Sequence, residues 1–535
     1  MHRKQQAIQH KAPLILLAVL SVLTIITFTW LAQKTPVIAD TSGYIHAGLR
    51  VANGQGLTFA DPNNEAIGQF FSPFAFQIKQ ANNSQLYLGY PPGFPLLLAL
   101  PVAFTGMSSA IFFVVPFISV LGLLFTFLLG KLVTGNNWSA LLATFLLATL
   151  PAYWQFGTDA WSEVPSLAFI LAGTYFYLLS REEDVSSNKF VTYSVLGGTL
   201  LVYSLFIRYA NITFLLSIGL AELLYKPAQL LRPSKRWYFY LILAVGLGLI
   251  LLFNHFYYGG VSLTSYSPEN GWYTFSPFAF EYALGPTKSN LPIIFETLWD
   301  NFSILLLLAP VGVIFLPKRY RLLFVFSVLS SMLLYSVYRF SATGINSRFL
   351  VPTYPFLAIL VAESIARFLP KVRPFAVRVG ILILLIGLTG WRIPAQIDAL
   401  EARNEEAATL TKNVATWVAD TPENSVIMSY VLNDQIAYYG NRSVLNYRRI
   451  PQYDPTVDEY RYDLLEPCLV YAIDTLLLNS TPVFYIEDGD PPLYNSKARL
   501  ENYYELEPFR LSPKMFAVQA AELAAPREVS ASCSP

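Results

Sequence analysis

The chain has 535 residues, of which 54% are hydrophobic and 13% charged, and its mean hydropathy is +0.44. This composition is too apolar for a soluble protein of that length and indicates a polytopic membrane protein. The net charge of +1 gives no electrostatic argument for nucleic acid, and two cysteines are too few for a disulfide framework or a zinc site.

The first apolar run, residues 14–32, follows a basic start and is long enough to cross a bilayer. It lacks a clear small-x-small cleavage site, so we predict a retained span and not a signal peptide. Ten further apolar runs bring the prediction to about eleven spans. These runs are 111–130, 139–154, 164–179, 190–206, 210–225, 237–254, 303–315, 322–338, 349–366 and 379–391.

Lys and Arg are concentrated in the segments that fall on the side of the N-terminus, which predicts a cytoplasmic N-terminus in the plasma (inner) membrane. The run 94–105 is too short to span comfortably. Counting it as a span would move the basic segments 226–236 and 318–321 outside. We therefore predict a re-entrant or interfacial helix there, with a short tilted span as the alternative.

Composition divides the chain into a membrane module, residues 1–394, and a polar C-terminal part. The module has two large outer loops, 33–110 and 255–300. Residues 395–519 predict a small extracytoplasmic α/β domain, with a helix at 395–419 and strands near 425–430, 443–447 and 482–486. We expect this domain to restrict access to the site or to hold the acceptor, and the tail 520–535 to be disordered.

Asp40 follows the first predicted span and precedes a predicted helix at 41–53. A carboxylate at the membrane surface can act as a general base or orient a nucleophile. The alternative is that Asp40 is only the N-cap of that helix.

Asp159 and Glu163 lie between two predicted spans. On one helical turn, an i, i+4 pair would place both carboxylates on one face. They would then bind acceptor, sugar or a cation in a site shared with Asp40. Alternatively, they are helix-end acids favoured by the positive end of the following span.

Among the arginines predicted to face outward, Arg208, Arg339 and Arg348 are the candidates for phosphate binding. Guanidinium groups suit phosphate binding, but these side chains could also extend to lipid headgroups. His46 and His255 lack metal-ligand spacing, so local hydrogen bonding is favoured over ligation.

Aromatic residues are frequent between positions 256 and 275. They would either stack on a sugar ring or form an interfacial belt, and we favour the belt.

Several motifs occur in a recognisable order along residues 10–365. They are Asp40 with Tyr44, the segment Tyr90 to Pro95, the segment Thr158 to Glu163, the segment Asn254 to Gly259 and the segment Arg348 to Pro355. In this order the chain resembles the GT-C class of polyprenyl-phosphate-dependent glycosyltransferases, in the group of protein O-mannosyltransferases and aminoarabinose lipid A transferases (family 39-like).

The resemblance implies a sugar donor on a polyprenyl phosphate at the outer face and an acceptor that is a protein, lipid or glycan. Asp40 would deprotonate the acceptor hydroxyl, and attack on the anomeric carbon would invert its configuration. Asp159 and Glu163 would position the substrates. Arg348, with Arg208 or Arg339, would stabilise the departing lipid phosphate.

Tyr44, His46 and Tyr90 are the other expected substrate-binding residues. The mannosyl and aminoarabinosyl members carry a basic residue or histidine before the Pro-Pro pair, whereas this chain has Tyr90, which argues against a phosphate contact there. We expect no cofactor and no metal, although oligosaccharyl members of the class use a divalent ion and the acids here permit one.

Two other functions stay open. A transporter or flippase of lipid-linked glycans should show charges within spans and internal repeats, and neither is evident. A polysaccharide polymerase or ligase would differ only in its acceptor. No phosphate-binding glycine-rich loop is present, which argues against a nucleotide-driven pump.

Overall fold

The computed structural model describes most of the chain. The described residues are 2–80, 83–182, 185–225, 237–261, 263–264, 278–284, 289–338, 344–371, 375–450, 452–454, 459–461, 465–489, 492, 494–509 and 514–520.

Helices dominate the described residues. In chain order they are α1 His2–Trp30, α2 Ala39–Ala52, α3 Pro62–Ala66, α4 Gly93–Thr105, α5 Val114–Thr134, α6 Asn137–Thr149, α7 Pro151–Gly157, α8 Glu163–Ser180, α9 Ser187–Ile207, α10 Ile212–Tyr225, α11 Trp237–Tyr258, α12 Glu281–Leu284, α13 Asn290–Phe302, α14 Ala309–Phe315, α15 Lys318–Val337, α16 Tyr354–Phe368, α17 Phe375–Gly390, α18 Ile393–Ala419, α19 Asn433–Gly440, α20 Leu465–Leu478 and α21 Ser496–Glu501. Short 3₁₀ segments precede several of them, such as Ser108–Phe113 before α5 and Gly344–Thr353 before α16.

Eight helical segments of the described chain are long and apolar enough to cross a membrane. They are Lys11–Trp30, Ser108–Thr134, Glu163–Ser180, Ser187–Ile207, Trp237–Tyr258, Asn290–Phe315, Lys318–Val337 and Ser347–Lys371. The pair α6 and α7, bent by 66° at Leu150, makes a ninth if it is one span. The chain is therefore a polytopic helical membrane protein.

A helix is present at every predicted span. The runs 210–225 and 379–391 coincide with the shorter helices α10 and α17. The run 303–315 belongs to a helical segment that already begins at Asn290, within the predicted loop 255–300. The run 94–105 forms α4, a short apolar helix.

The contacts divide the chain into two compact units, which are described separately. The first consists of residues 1–33, 112–250 and 277–402. Small residues let its helices α8 and α9 approach closely, as membrane helices commonly do. A Cβ atom on Gly197 would lie 2.9 Å from the backbone nitrogen of Tyr177.

The second unit consists of residues 34–111, 251–276 and 403–535. The sequence-based division placed residues 33–110 with the membrane module, whereas in the structure this segment packs with the C-terminal part. The backbone N–H of Asn446 donates to the carbonyl of Phe70, and Phe71 forms a β-bridge with Leu445.

The described residues of the second unit form three sheets. Strands β1 Thr58–Phe59, β2 Phe76–Gln80 and β3 Asn83–Leu88 form an antiparallel sheet in the order β1-β3-β2. Strands β4 Val426–Ser429, β5 Ser443–Asn446, β8 Val483–Ile486, β9 Glu505–Pro508 and β10 Met515–Gln519 form a mixed sheet in the order β5-β4-β8-β10-β9. Strands β6 Gln452–Asp454 and β7 Glu459–Arg461 pair with each other.

Side chains of the central strands of the mixed sheet are buried on both faces of the sheet. Val426 and Met428 pack in one core with α20, whereas Ile427 packs in a second core with Val414 and Val418 of α18. Period-two alternation directs successive side chains of a strand to opposite faces. The predicted helix 395–419 and the three predicted strands are thereby confirmed. The predicted tail, residues 520–535, lies outside the described residues except for Ala520.

Candidate functional site

The predicted site residues fall into two groups, one in each unit. In the second unit, Asp40 lies in the first turn of α2. The N-cap of α2 is Ile38, so the alternative reading of Asp40 as the N-cap is wrong. The Asp40 carboxylate instead accepts a 2.9 Å hydrogen bond from the Tyr90 hydroxyl. Since Asp40 is only half-buried, its carboxylate is not enclosed by this contact.

Tyr90 is fixed by packing on all sides. Its ring lies 4.6 Å from that of Tyr44, centroid to centroid, and Tyr44 in turn packs edge-on against Phe94 at 4.9 Å. Burial, followed by the nearby Asp40 and Asp434 carboxylates, raises the pKa of Tyr90 well above its ordinary value. The hydroxyl therefore stays protonated and donates to Asp40.

Tyr44 and Tyr90 are thus only 5% and 4% exposed. That both residues bind substrate stays a prediction. In the structure the Tyr90 hydroxyl is engaged by the Asp40 carboxylate, and the Tyr44 ring packs against that of Tyr90.

The segment before Asp40 is held by α19 of the C-terminal part. The Gln435 side-chain nitrogen donates to the Val37 carbonyl at 2.7 Å and to Ser42 Oγ at 3.3 Å. Ser42 Oγ itself donates to the Pro36 carbonyl at 3.0 Å. These bonds fix the chain on both sides of Asp40.

His46 lies on another face of α2 and is 8% exposed. Its Nδ1 has no hydrogen-bond partner among the described residues, so the expected local hydrogen bonding is not found at this atom. Burial, with a smaller contribution from Arg50, lowers the pKa of His46 to about 3. The imidazole is therefore neutral at physiological pH.

In the first unit, Glu163 brings two of the predicted arginines together. It is the first residue of α8 and is fully buried. Its Oε1 accepts a hydrogen bond from Arg208 and lies 3.3 Å from Nε of Arg348. One buried carboxylate therefore faces two guanidinium groups.

Aromatic rings orient the two guanidinium groups. Arg348 lies over the ring of Trp161 at 4.3 Å and over that of Phe349 at 5.0 Å, and Arg208 lies 5.4 Å from the Phe349 ring centre. Such cation–π contacts hold a guanidinium in place without neutralising its charge.

Asp159 does not share a helical turn with Glu163, so the expected i, i+4 arrangement is wrong. Residues 158–162 are not helical and α8 begins only at Glu163, while the Asp159 carboxylate accepts the backbone N–H of Ala160 at 2.6 Å. In the amide orientation that satisfies both groups, the Gln33 nitrogen donates to Asp159 Oδ2 at 2.6 Å.

Other expectations are only partly covered. Arg339 lies outside the described residues, as do the aromatic residues Tyr266, Trp272, Tyr273 and Phe275. Tyr257 and Tyr258 end α11, where the Tyr257 hydroxyl donates to the carbonyl of Leu57. That Asp40 acts in one site with Asp159 and Glu163 stays a prediction.

Metal dependence also stays a prediction. No group of three or more His, Cys, Asp or Glu side chains in the described part of the chain could hold a metal ion.

The sequence analysis did not identify the polar residues that hydrogen-bond to Asp159 or to the segments around Asp40 and Tyr90 and that lie far from them in the sequence. Gln33, Asp434 and Gln435 lie far from their partners along the chain. A sequence signal existed only for the last two, since the polar run Asn433 to Gln435 begins α19 directly after a strand. All three residues of that run are buried.

Comparison with solved structures found similarity along nearly the whole chain. The structure of ArnT from Cupriavidus metallidurans bound to undecaprenyl phosphate matches with a TM-score of 0.59 at 13% identity, covering 95% of this chain and 98% of that one. The archaeal oligosaccharyltransferase AglB from Archaeoglobus fulgidus, in complex with an inhibitory peptide and a dolichol-phosphate, matches with a TM-score of 0.57 at 13% identity, covering 97% and 75%.

The arabinofuranosyltransferase AftD from Mycobacteria matches with a TM-score of 0.52 at 15% identity, covering 95% of this chain and 42% of that one. No protein-family model and no curated protein matches the sequence. The three structures are all GT-C glycosyltransferases. The chain therefore has the GT-C glycosyltransferase fold, the class that its sequence resembles.

Proposed function

We propose that the protein is an inverting glycosyltransferase that uses a polyprenyl-phosphate-linked sugar at the outer face of the plasma (inner) membrane. The observation that carries the proposal is the hydrogen bond between Asp40 of α2 and Tyr90, in a chain of which 95% matches the fold of ArnT bound to undecaprenyl phosphate. A half-buried carboxylate with a fixed hydrogen-bond partner is suited to accept a proton.

In the proposed reaction, an acceptor hydroxyl attacks the anomeric carbon of the donor sugar. The new bond joins the acceptor oxygen to that carbon, and the bond from the carbon to the phosphate oxygen breaks. The hydroxyl proton passes to the Asp40 carboxylate, and the lipid phosphate leaves with the electron pair. Attack from the face opposite the leaving group inverts the configuration.

Arg208 and Arg348 would bind the lipid phosphate. Both guanidinium groups contact the Glu163 carboxylate, which holds them near each other as a pair that could bind one phosphate. Planar guanidinium groups match phosphate oxygens in pairs, and their charge stabilises the leaving group as it becomes more negative. Glu163 in this proposal orients the arginines, and Asp159 positions substrate.

The second unit would lie on the outer side of the membrane. Cys468 lies in its buried core and is disulfide-bonded, and disulfides persist in oxidising compartments outside the cytoplasm. The one other cysteine of the sequence, Cys533, lies outside the described residues.

The testing experiment measures transfer of labelled sugar from a panel of polyprenyl-phosphate sugars by membranes that contain the protein. We expect one donor to be used, and Asp40→Asn to abolish transfer at an unchanged protein level. Glu65→Gln is the matched control, because it removes a carboxylate charge from an exposed residue of the same segment. The anomeric configuration of the product, measured by NMR, tests inversion.

Absence of turnover with every donor would contradict the proposal and favour transport of lipid-linked glycans. Full activity of Asp40→Asn would remove Asp40 from the chemistry. A retained anomeric configuration would contradict the single displacement.

A further inference from the structure

The second unit contains a cavity on the face of α2 that carries His46. Its volume is about 410 Å³, within the range of small-molecule sites. Helix α2, the loop up to Asp61 and helix α19 with the residues after it line the cavity. Asp40 is not among its lining residues.

A buried histidine forms part of the cavity wall. His46 is more than nine-tenths buried and lines the cavity, and its Nδ1, which is itself fully buried, has no partner in the described part of the chain.

The charged groups around the cavity favour an anion. Arg50 donates to the Thr58 carbonyl at 2.7 Å, and Arg442 to the Thr421 carbonyl at 2.8 Å. Among the described residues, neither guanidinium forms an ion pair with a carboxylate, so no salt bridge offsets either positive charge.

Asp61 is the one carboxylate among the lining residues. It is already engaged, since Ser443 Oγ donates to one oxygen at 2.5 Å and the backbone N–H of Asn63 to the other at 2.9 Å. The lining therefore carries a net positive charge.

The remaining lining groups fit a sugar ring. Three amide side chains line the cavity and can bond hydroxyl groups, namely Asn53, Gln55 and Asn441. The rings of Phe59 and Tyr438 lie 6.5 and 6.0 Å from that of His46 and supply apolar surface. Apolar walls with a few placed polar groups are typical of a small-molecule site.

We propose that this cavity binds a sugar unit that carries an anionic group. This unit would belong to the acceptor and would be the neighbour of the unit whose hydroxyl reacts. His46 lies on the same helix as Asp40, about 9 Å further along its axis at the usual helical rise. The role as acceptor subsite rests on the proposed function, whereas binding of the sugar does not.

The test measures binding to the purified full-length protein in lipid nanodiscs. The probes are glucose, glucose 6-phosphate, glucuronic acid and inorganic phosphate. We expect the two charged sugars to bind at least tenfold more tightly than glucose and than inorganic phosphate. Arg50→Gln should remove this preference. Asn53→Trp, at an exposed position, should weaken all sugar binding tenfold or more.

Thermal unfolding of each variant verifies its fold, and Asn53→Trp keeps the test valid if Arg50→Gln fails to fold. Saturable binding by no probe, or binding that Asn53→Trp leaves unchanged, would overturn the site. If glucose bound as tightly as the charged sugars, the preference for an anionic group would be overturned. If inorganic phosphate bound as tightly as they do, the claim that the site recognises a sugar would be overturned.

Asp40→Asn separates the two proposals. We expect it to bind the charged sugars as the wild type does while transfer is lost. Unaltered transfer by Asp40→Asn would remove Asp40 from the chemistry and leave both the transfer reaction and the sugar site standing. Binding of the charged sugars without transfer from any donor by the wild type would overturn the proposed function and the acceptor role but leave the sugar site standing.

Discussion

The Tyr90 hydroxyl donates a 2.9 Å hydrogen bond to the Asp40 carboxylate across a separation of 50 residues in the chain. Tyr90 is buried and keeps its proton, whereas Asp40 is partly exposed. The pair therefore combines a buried, fixed hydroxyl donor with a carboxylate that is partly exposed to solvent.

Tyr90→Phe removes this hydrogen bond and keeps the ring. A hydrogen bond to a charged group contributes about 1.5–3 kcal/mol, so we expect transfer to fall roughly 10- to 100-fold through misplacement of Asp40. The measurement is the rate of sugar transfer at saturating donor.

Tyr471→Phe is the matched control, because the Tyr471 hydroxyl makes no hydrogen bond in the described part of the chain. The role given to Tyr90 would be wrong if both variants transferred sugar at the wild-type rate.

Gly43→Ala tests the close packing beneath the pair. An added Cβ atom would lie 2.6 Å from the Cβ of Ala75 and 2.9 Å from the Tyr90 ring. Although alanine favours helix, we expect overpacking to cost about 1–3 kcal/mol and to displace Tyr90, lowering both thermal stability and transfer. Gly219→Ala, which has open space around it, should not lower either one. A Gly43→Ala protein as stable and active as the wild type would show that the neighbouring residues can shift to accommodate the added methyl group without loss of stability.

Gln435→Leu tests how the C-terminal part supports the segment before Asp40. The change leaves the Val37 carbonyl without this partner, which costs about 1–3 kcal/mol when the group is buried. We expect a lower unfolding temperature and slower transfer, because the chain beside Asp40 is loosened. The same substitution at Gln519, an exposed position at the end of β10, should have little effect on either quantity. If Gln435→Leu were less stable than the wild type but transferred sugar at the same rate, the hydrogen bond of Gln435 would contribute to stability and not to transfer.

Deletion of the C-terminal part is a poor test of its role. The truncation would remove Gln435 and would uncover Phe70 and Phe71, which pack in the core of the mixed sheet. Loss of activity after such a truncation would report unfolding of the first loop. Point substitutions therefore separate acceptor binding from folding better than truncation does.

The sequence predicted the positions of the spans because apolar length is a local property that the membrane imposes. The same holds for α18 and the strands β4, β5 and β8. The strands β2 and β3 escaped detection because pairing between them, and not apolar composition, forms this hairpin.

The site was predictable only in its residue types. Asp40, Glu163, Arg208 and Arg348 were selected from the sequence, but their partners come from distant parts of the chain. Nothing local indicates that one carboxylate bridges two arginines or that Tyr90 reaches Asp40. The error at Asp159 has a local cause, since its side chain competes with the helix for the next backbone N–H.

Glu163→Gln removes the negative charge between Arg208 and Arg348. Breaking a buried ion pair at one partner costs about 3–5 kcal/mol, so we expect a large loss of thermal stability in detergent. The double variant Glu163→Gln with Arg208→Gln restores the original net charge of the cluster and should recover part of that loss. A double variant less stable than the single one would show that Arg208 stabilises the fold independently of Glu163.

Acidification should destabilise the protein through His46. The pKa of His46 is about 3 in the folded protein and about 6.5 in an unfolded chain, so between these values only the unfolded chain takes up the proton. Stability therefore falls as the pH drops below 6.5, by about 2 kcal/mol from this group at pH 5. His46→Gln should lose less stability than the wild type between pH 7.5 and pH 5.0, measured as the change in unfolding temperature. His255→Gln, at an exposed position, should keep the wild-type acid sensitivity. Identical acid sensitivity of wild type and His46→Gln would mean that His46 is protonated in the folded state, which its burial beside Arg50 opposes.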